Sequence, residues 1–113
     1  MPTALLLTPD GERRILVWET ASQAYTAIRA ALDDGYLEEI RLAPDLVAYA
    51  DEDGKMKRLP RNDRATVLVH EMFPNRMWAD DMLVGPVVIT GDDGSPDIVG
   101  LSPAWMKRLG LPG

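Results

Sequence analysis

The sequence predicts a single α+β domain over residues 1–113, with a mostly antiparallel sheet of about five short strands and two to three helices packed on it. Three observations favour this class. The length of 113 residues suits one core, and the 46% hydrophobic and 27% charged shares are typical of globular proteins. Short β-rich segments joined by glycine-containing turns alternate with helical patterns. Their order, β-β-α-β-β-α-β-α, places strands in hairpins, which pair antiparallel.

The first half of the chain predicts a hairpin and then a helix. Residues 4–8 and 13–19 are rich in β formers and flank the turn at residues 9–11, Pro-Asp-Gly. Thr20 and Gln23 then have the spacing of a capping box. We expect the helix to end at residues 33–35, with Gly35 in the left-handed conformation. Its predicted apolar stripe is Ala21, Ala24, Tyr25, Ile28, Ala31 and Leu32.

The middle of the chain predicts a second hairpin and a second helix. Strands are expected at 36–42 and 46–50, followed by an acidic turn at 51–54 and a brief return strand at 55–59. Asn62 and Asp63 can cap the next helix, and Pro74 would stop it. The helical stripe consists of Ala65, Leu68, Val69, Met72 and Phe73.

The last third predicts a loop, a strand and a short helix. Residues 76–81 are interpreted as loop, although a helix also fits residues 67–80. In the predicted strand at 82–90, Gly85 and Pro86 indicate an edge position or a bulge. Ser102 is expected to cap a final helix that Gly110 ends. Strands this short leave an exposed edge, which invites pairing with a second copy.

The charge and composition exclude several classes of function. A net charge of −6, with acids beside the basic residues of the 55–64 segment, disfavours direct binding of nucleic acid. Because cysteine is absent, disulfides, cysteine–zinc sites and thiol nucleophiles are excluded. No apolar run approaches the roughly 20 residues that span a bilayer, and no secretory signal is visible. We therefore expect a cytoplasmic protein.

No pattern of reactive side chains predicts catalysis, a cofactor or a metal. His70 is the only histidine, and its neighbour Glu71 would point about 100° away on a helix. The acidic residues 51–53 lack the glycine and glutamate positions of a calcium loop. Alternation places Glu38 on the same strand face as Ile40, so we expect an ion pair with Arg41 or with an arginine of residues 58–64. The chain is therefore predicted not to be an enzyme.

The tryptophans and arginines supply the candidate binding residues. Trp18 and Trp105 are expected in the core, on a strand and on the last helix. Trp78 follows Arg76 and Met77 in a predicted loop, and exposed aromatic, arginine and methionine residues are typical of interface hot spots. The predicted binding patch is Arg58, Arg61, Arg64, Arg76 and Trp78.

Several segments together resemble a family of small bacterial and phage proteins known as domain of unknown function 3846. The similar features are the opening hairpin, Gly35 to Glu38, Leu46-Val47 before the Asp-Glu-Asp-Gly-Lys turn, Leu59 to Asn62, Val84 to Ile89, and Leu101-Ser102. The resemblance covers nearly the whole chain, apart from a longer insert at roughly residues 67–80. It implies no established activity and no catalytic residues, but it implies frequent occurrence on phages and mobile elements.

Three functions remain open at this point. The leading hypothesis is a non-enzymatic interaction protein, encoded by a phage or mobile element, that acts on a host or phage macromolecule or pairs with a copy of itself. The first alternative is sequestration of a small ligand such as a nucleotide, in a pocket shared between copies, where arginines would pair with phosphates. The second alternative is an enzyme of unknown type.

Overall fold

A computed structural model of the chain describes residues 1–78 and 80–112. Strands and helices follow each other in the predicted order, so that prediction is confirmed. The elements are β1 (Thr3–Leu7), β2 (Arg13–Val17), α1 (Ala21–Ala31), β3 (Leu37–Ala43), β4 (Leu46–Asp51), α2 (Asp63–Met72), β5 (Val87–Gly91) and α3 (Pro103–Arg108). The predicted loop at 76–81 is irregular where it is described, but Ala79 lies outside the described residues, as does Gly113.

The strands form one antiparallel sheet in the order β2-β1-β5-β4-β3. The two hairpins form the outer pairs, and β5 lies between them. Of the two alternatives predicted for the strand at 82–90, an edge position or a bulge, the edge position is therefore wrong, and the strand itself begins only at Val87. Pro86 is tolerated because it lies just before β5 begins and need not donate a hydrogen bond to either neighbour.

The return strand predicted at 55–59 is also wrong, because residues 52–58 form consecutive turns. Main-chain bonds from Lys57 N to Asp53 O (2.9 Å) and from Leu59 N to Gly54 O (3.0 Å) hold these turns. A return strand has no place to pair, since β3 and β5 already occupy both edges of β4.

Helices cover both faces of the sheet. Side chains alternate along a strand, so β1 sends Leu5 and Leu7 to one face and Leu6 to the other. On the first face they pack with Val69 of α2 and Trp105 of α3. On the second face, α1 contributes Ala24, Ile28 and the following Leu32, against the buried Trp18. The Cα radius of gyration, 13.0 Å, is that of a compact domain of this length.

The helix ends confirm the predicted caps and correct two details of α1. The side chains of Thr20, Asn62 and Ser102 each accept a main-chain N–H in the first turn of a helix. The left-handed positions after α1 are Asp33 and Asp34, not Gly35. Glycine is needed at position 35 because a Cβ there would overlap the Asp51 carboxylate. Tyr25, predicted on the apolar stripe, is 50% exposed.

Asn62 is the polar residue that ties the layers together. Its side chain is fully buried, and its Nδ2 donates to Leu7 O (2.9 Å) and to Gly85 O (2.8 Å). Its Oδ1 accepts from Ala65 N at 3.0 Å, which caps α2. One amide group thus joins β1, the segment before β5 and α2. The stretch from Leu59 to Asn62 is one of the segments that resemble the family. Its residue Asn62 therefore has a structural role.

Candidate functional site: the methionine cleft

A cleft of about 230 Å³ opens beside the edge strand β3, on the face of the sheet that carries α2. Its floor comes from β3 and β4, one wall is the turn segment after β4, and the other wall is the segment before β5. We call it the methionine cleft because Met56, Met77 and Met82 line it. The other lining residues are Glu38, Ile40, Ala50, Asp51, Glu52, Lys55, Arg76, Asp81, Leu83 and Val84.

An ion pair joins the two walls of the methionine cleft. Lys55 Nζ in the turn wall lies 2.5 Å from Asp81 Oδ1 in the opposite wall. Asp81 is anchored further, because its carbonyl oxygen contacts His70 Nε2 at 3.1 Å and its carboxylate accepts the Met82 N–H. The Lys55 ammonium lowers the pKa of Asp81 from its usual value, so this carboxylate is ionised at neutral pH.

A second ion pair holds the base of the turn wall. Burial of the Asp51 carboxylate raises its pKa, but the Lys57 ammonium at 2.7 Å and the Asp53 N–H at 2.8 Å outweigh burial, and the net pKa lies below the usual value. The Asp51 side chain is 4% exposed, whereas the Lys57 side chain is 47% exposed, so water reaches the pair from the lysine side. The turn wall is therefore held to the end of β4 by a charge pair as well as by main-chain bonds.

The methionine side chains of the cleft are accessible to solvent. Met56 is 85% exposed, and Met77 and Met82 are half-buried. A neighbouring hollow of about 270 Å³ shares Arg76, Met77 and Asp81 with the cleft and adds Trp78, which is 81% exposed. Methionine adapts its shape to different partners, and tryptophan supplies a large rigid contact area. The two hollows together form one surface suited to recognition.

The structure brings together only part of the predicted binding patch. Arg76 and Trp78 lie side by side at the cleft and its neighbouring hollow. Arg58, Arg61 and Arg64 are exposed but line neither of these two hollows. Arg61 lies instead 3.6 Å from Asp63, at the bridge that its main chain forms with Val84.

Sequence reasoning did not identify Lys55, Met56 and Asp81 as members of the site. They come from two segments that are distant in sequence, and no spacing rule connects them. Met56 and Lys55 face Asp81, Met77 and Met82 across the cleft only in the folded chain.

Glu38 lines the cleft on the same strand face as Ile40, as alternation predicts. The side chain is exposed, and among residues 1–78 and 80–112 it makes no ion pair, so the expected partnership with an arginine is wrong. Water solvates the carboxylate, which removes the need for a partner. Arg41, the nearest candidate in sequence, points to the opposite face and pairs with Glu39 and Asp92.

Arg41 belongs to a polar groove of about 360 Å³ between β3, β4 and the loop after β5. The guanidinium lies 3.2 Å from Glu39 and 2.5 Å from Asp92. Burial of Tyr49 at this groove raises the pKa of its phenol, with Glu39 and Asp92 adding to the effect. Since its arginine is already paired, this groove offers less for recognition than the methionine cleft.

Fold and site together define a small α+β domain with both sheet faces covered and a methionine-lined cleft at one sheet edge. The chain belongs to the family described as Domain of unknown function (DUF3846), whose model matches residues 2–110. The predicted resemblance is thereby confirmed. No curated protein and no solved structure matches the chain significantly. Among the described residues, no helix is long and apolar enough to cross a membrane.

Proposed function

We propose that this domain is a non-enzymatic recognition protein that binds a protein partner through the methionine cleft and Trp78. The observation that carries the proposal is that three methionines and an arginine line one cleft, and that the adjoining hollow, which shares that arginine, adds an 81%-exposed tryptophan. Protein interfaces are enriched in these residue types, whose binding energy is concentrated in a few anchors. The family resemblance supports a setting on a phage or mobile element, and in that setting the proposed partner is a host or phage protein.

The size of the cleft favours a side chain from a macromolecule over a free ligand. The cleft without its neighbouring hollow has a volume of about 230 Å³, which falls below the roughly 300–1,000 Å³ of small-molecule sites. A cleft of this size, open beside an edge strand, suits an anchor residue of a partner chain. The surrounding exposed surface would then contact the residues next to that anchor.

The charges of the cleft indicate what should flank the anchor. Four carboxylates line it (Glu38, Asp51, Glu52 and Asp81) against two bases (Lys55 and Arg76). Ion pairs within the described chain occupy Asp51 and Asp81 but neither Glu38 nor Glu52. A partner segment that combines an apolar anchor with lysine or arginine would complement both the methionines and these two free acids.

The proposal is tested by selecting binding peptides from a random displayed library and measuring their affinity for single variants. Trp78→Ala and Met77→Ala should each weaken binding by tenfold or more, because truncating a hot spot costs more than about 1.4 kcal/mol. Tyr25→Ala is the matched control, since Tyr25 is exposed on α1, on the other face of the sheet. Selected peptides should be enriched in an apolar residue beside a basic one.

Equal affinity for Trp78→Ala and the parent protein, or selection of acidic peptides, would contradict the proposal. Nucleotide sequestration is the alternative function, and the melting temperature of the protein with added nucleotide tests it. The free acids of the cleft repel phosphate, so we expect no nucleotide to raise the melting temperature. A rise of several degrees with one nucleotide would favour sequestration over protein recognition.

A further inference from the structure

The edge strand β2 carries an apolar stripe that no element of the described chain covers. Ile15 is 44% exposed and Val17 is 51% exposed, although both belong to a regular strand. They lie opposite Leu5 and Thr3 of β1, and therefore on the face that carries α2 and α3. An uncovered edge with apolar side chains is a template for another strand.

The hydrogen bonds of β2 define which main-chain groups are free. Trp18 N donates to Pro2 O (3.3 Å) and Thr8 N to Glu12 O (3.0 Å), so the even-numbered residues of this register bond to β1. In an antiparallel pair the alternate residues direct their N–H and C=O groups away from the partner. The free groups at this edge are therefore those of Arg13, Ile15 and Val17.

We propose that a second copy of this chain pairs with this edge, β2 against β2 antiparallel, about a two-fold axis at Leu16. The free odd-numbered groups allow axes at residue 14, 15 or 16. An axis at Arg14 sets the two copies of that arginine opposite each other, and an axis at Ile15 leaves them diagonal neighbours. The axis at Leu16 separates the two copies of Arg14 and places Ile15 of each copy opposite Val17 of the other.

The opposite edge of the sheet is less suited to the same pairing. Strand β3 carries Glu38 and Glu39 in succession and has a register irregularity between Arg41 and Ala43. Charges and bulges both keep an edge from pairing, and since β2 also carries two adjacent charges, Arg13 and Arg14, the irregularity is what distinguishes β3. In contrast, β2 pairs with β1 in an unbroken register over its whole length. An apolar groove of about 420 Å³ also runs beside β2, between Trp18 and α1, with room for side chains of an added strand.

The dimer has a consequence that rests on the proposed function. The methionine cleft lies beside β3, at the far end of the sheet from β2. Pairing of β2 leaves both clefts open at the outer ends of a continuous sheet, separated by nine strand spacings, or roughly 40 Å. A two-fold symmetric partner could engage both clefts and gain avidity.

Sedimentation or light scattering over a range of concentrations tests the pairing without any partner. We expect a dimer in the parent protein and at least a tenfold higher dimer dissociation constant for Val17→Lys. Val67→Lys is the matched control, because Val67 is also 51% exposed but lies on α2. A monomer at high micromolar concentration, or equal dimerisation of Val17→Lys and the parent, would overturn the pairing whatever the cleft binds.

Cysteine cross-linking tests the register, and the natural chain contains no cysteine to interfere. At an axis on Leu16, the two copies of residue 16 form a non-hydrogen-bonded pair with Cα atoms about 4.5 Å apart, within the range of a disulfide. Leu16→Cys should therefore form a covalent dimer under mild oxidation faster than Ile15→Cys or Val67→Cys. Faster cross-linking of Ile15→Cys, or equal rates for all three variants, would overturn the arrangement.

Discussion

Replacing Asn62 by alanine removes the polar junction between three parts of the fold. The side chain is completely buried and makes three hydrogen bonds of 2.8 to 3.0 Å. Loss of the helix cap costs about 1 kcal/mol. Loss of the two bonds from Nδ2 costs about 1 kcal/mol each, and more if the carbonyls of Leu7 and Gly85 stay unsatisfied.

We therefore expect Asn62→Ala to lower the free energy of unfolding by about 3–4 kcal/mol. For a domain of this length, that loss corresponds to a melting temperature lower by about 12 °C or more. Urea unfolding followed by circular dichroism measures the free energy, and calorimetry measures the melting temperature.

Two further variants complete the test. One separates the helix cap from the two hydrogen bonds of Nδ2, and the other is a control. Asn62→Asp keeps the capping oxygen, but it directs a hydrogen-bond acceptor at the carbonyls of Leu7 and Gly85. It should therefore lower the free energy of unfolding by at least about 2 kcal/mol. Asn75→Ala, at an exposed loop position, is the control and should change stability by less than about 0.5 kcal/mol. A loss below about 1 kcal/mol for Asn62→Ala would refute the reasoning, because the cap alone would account for it.

Two other predictions concern a charge and a close approach. The lowered pKa of Asp51 means that its ion pair with Lys57 stabilises the fold above the unfolded pKa of about 3.9 and loses this effect as pH falls through the folded value. The melting temperature of Asp51→Asn should thus be lower than that of the parent at pH 7, with the gap closing as the pH falls below 4. A gap independent of pH would contradict this. A Cβ at Gly91 would overlap the main-chain carbonyl of Gly100, so Gly91→Ala should cost about 1–3 kcal/mol in urea unfolding, and a neutral effect would show that the loop yields freely.

Local patterns predicted the elements of this fold but not every position in the sheet. The capping residues Thr20, Asn62 and Ser102 and the apolar stripe of α2 depend on neighbours within one or two turns, which a sequence shows directly. The central position of β5 depends on which hairpin edges are free, and the Gly85-Pro86 signal could not reveal it. The same competition for edges excluded the predicted return strand at 55–59.

The candidate site was predicted only where it is local. Arg76, Met77 and Trp78 are consecutive in one loop, so their position at one surface could be inferred. Lys55 and Asp81 meet only because the turn after β4 and the segment before β5 face each other in the folded chain. A long-range juxtaposition of this kind is a property of topology and leaves no periodic trace in the sequence.

The central claim is that the methionine cleft is the recognition surface, and methionine methyl NMR tests it most directly. The chain contains six methionines, of which Met56, Met77 and Met82 line the cleft. Titration of a selected peptide into methyl-labelled protein should shift these three signals and leave Met1 and Met106 unchanged. Binding that shifts Met1 or Met106 while the three cleft signals stay in place would contradict the account.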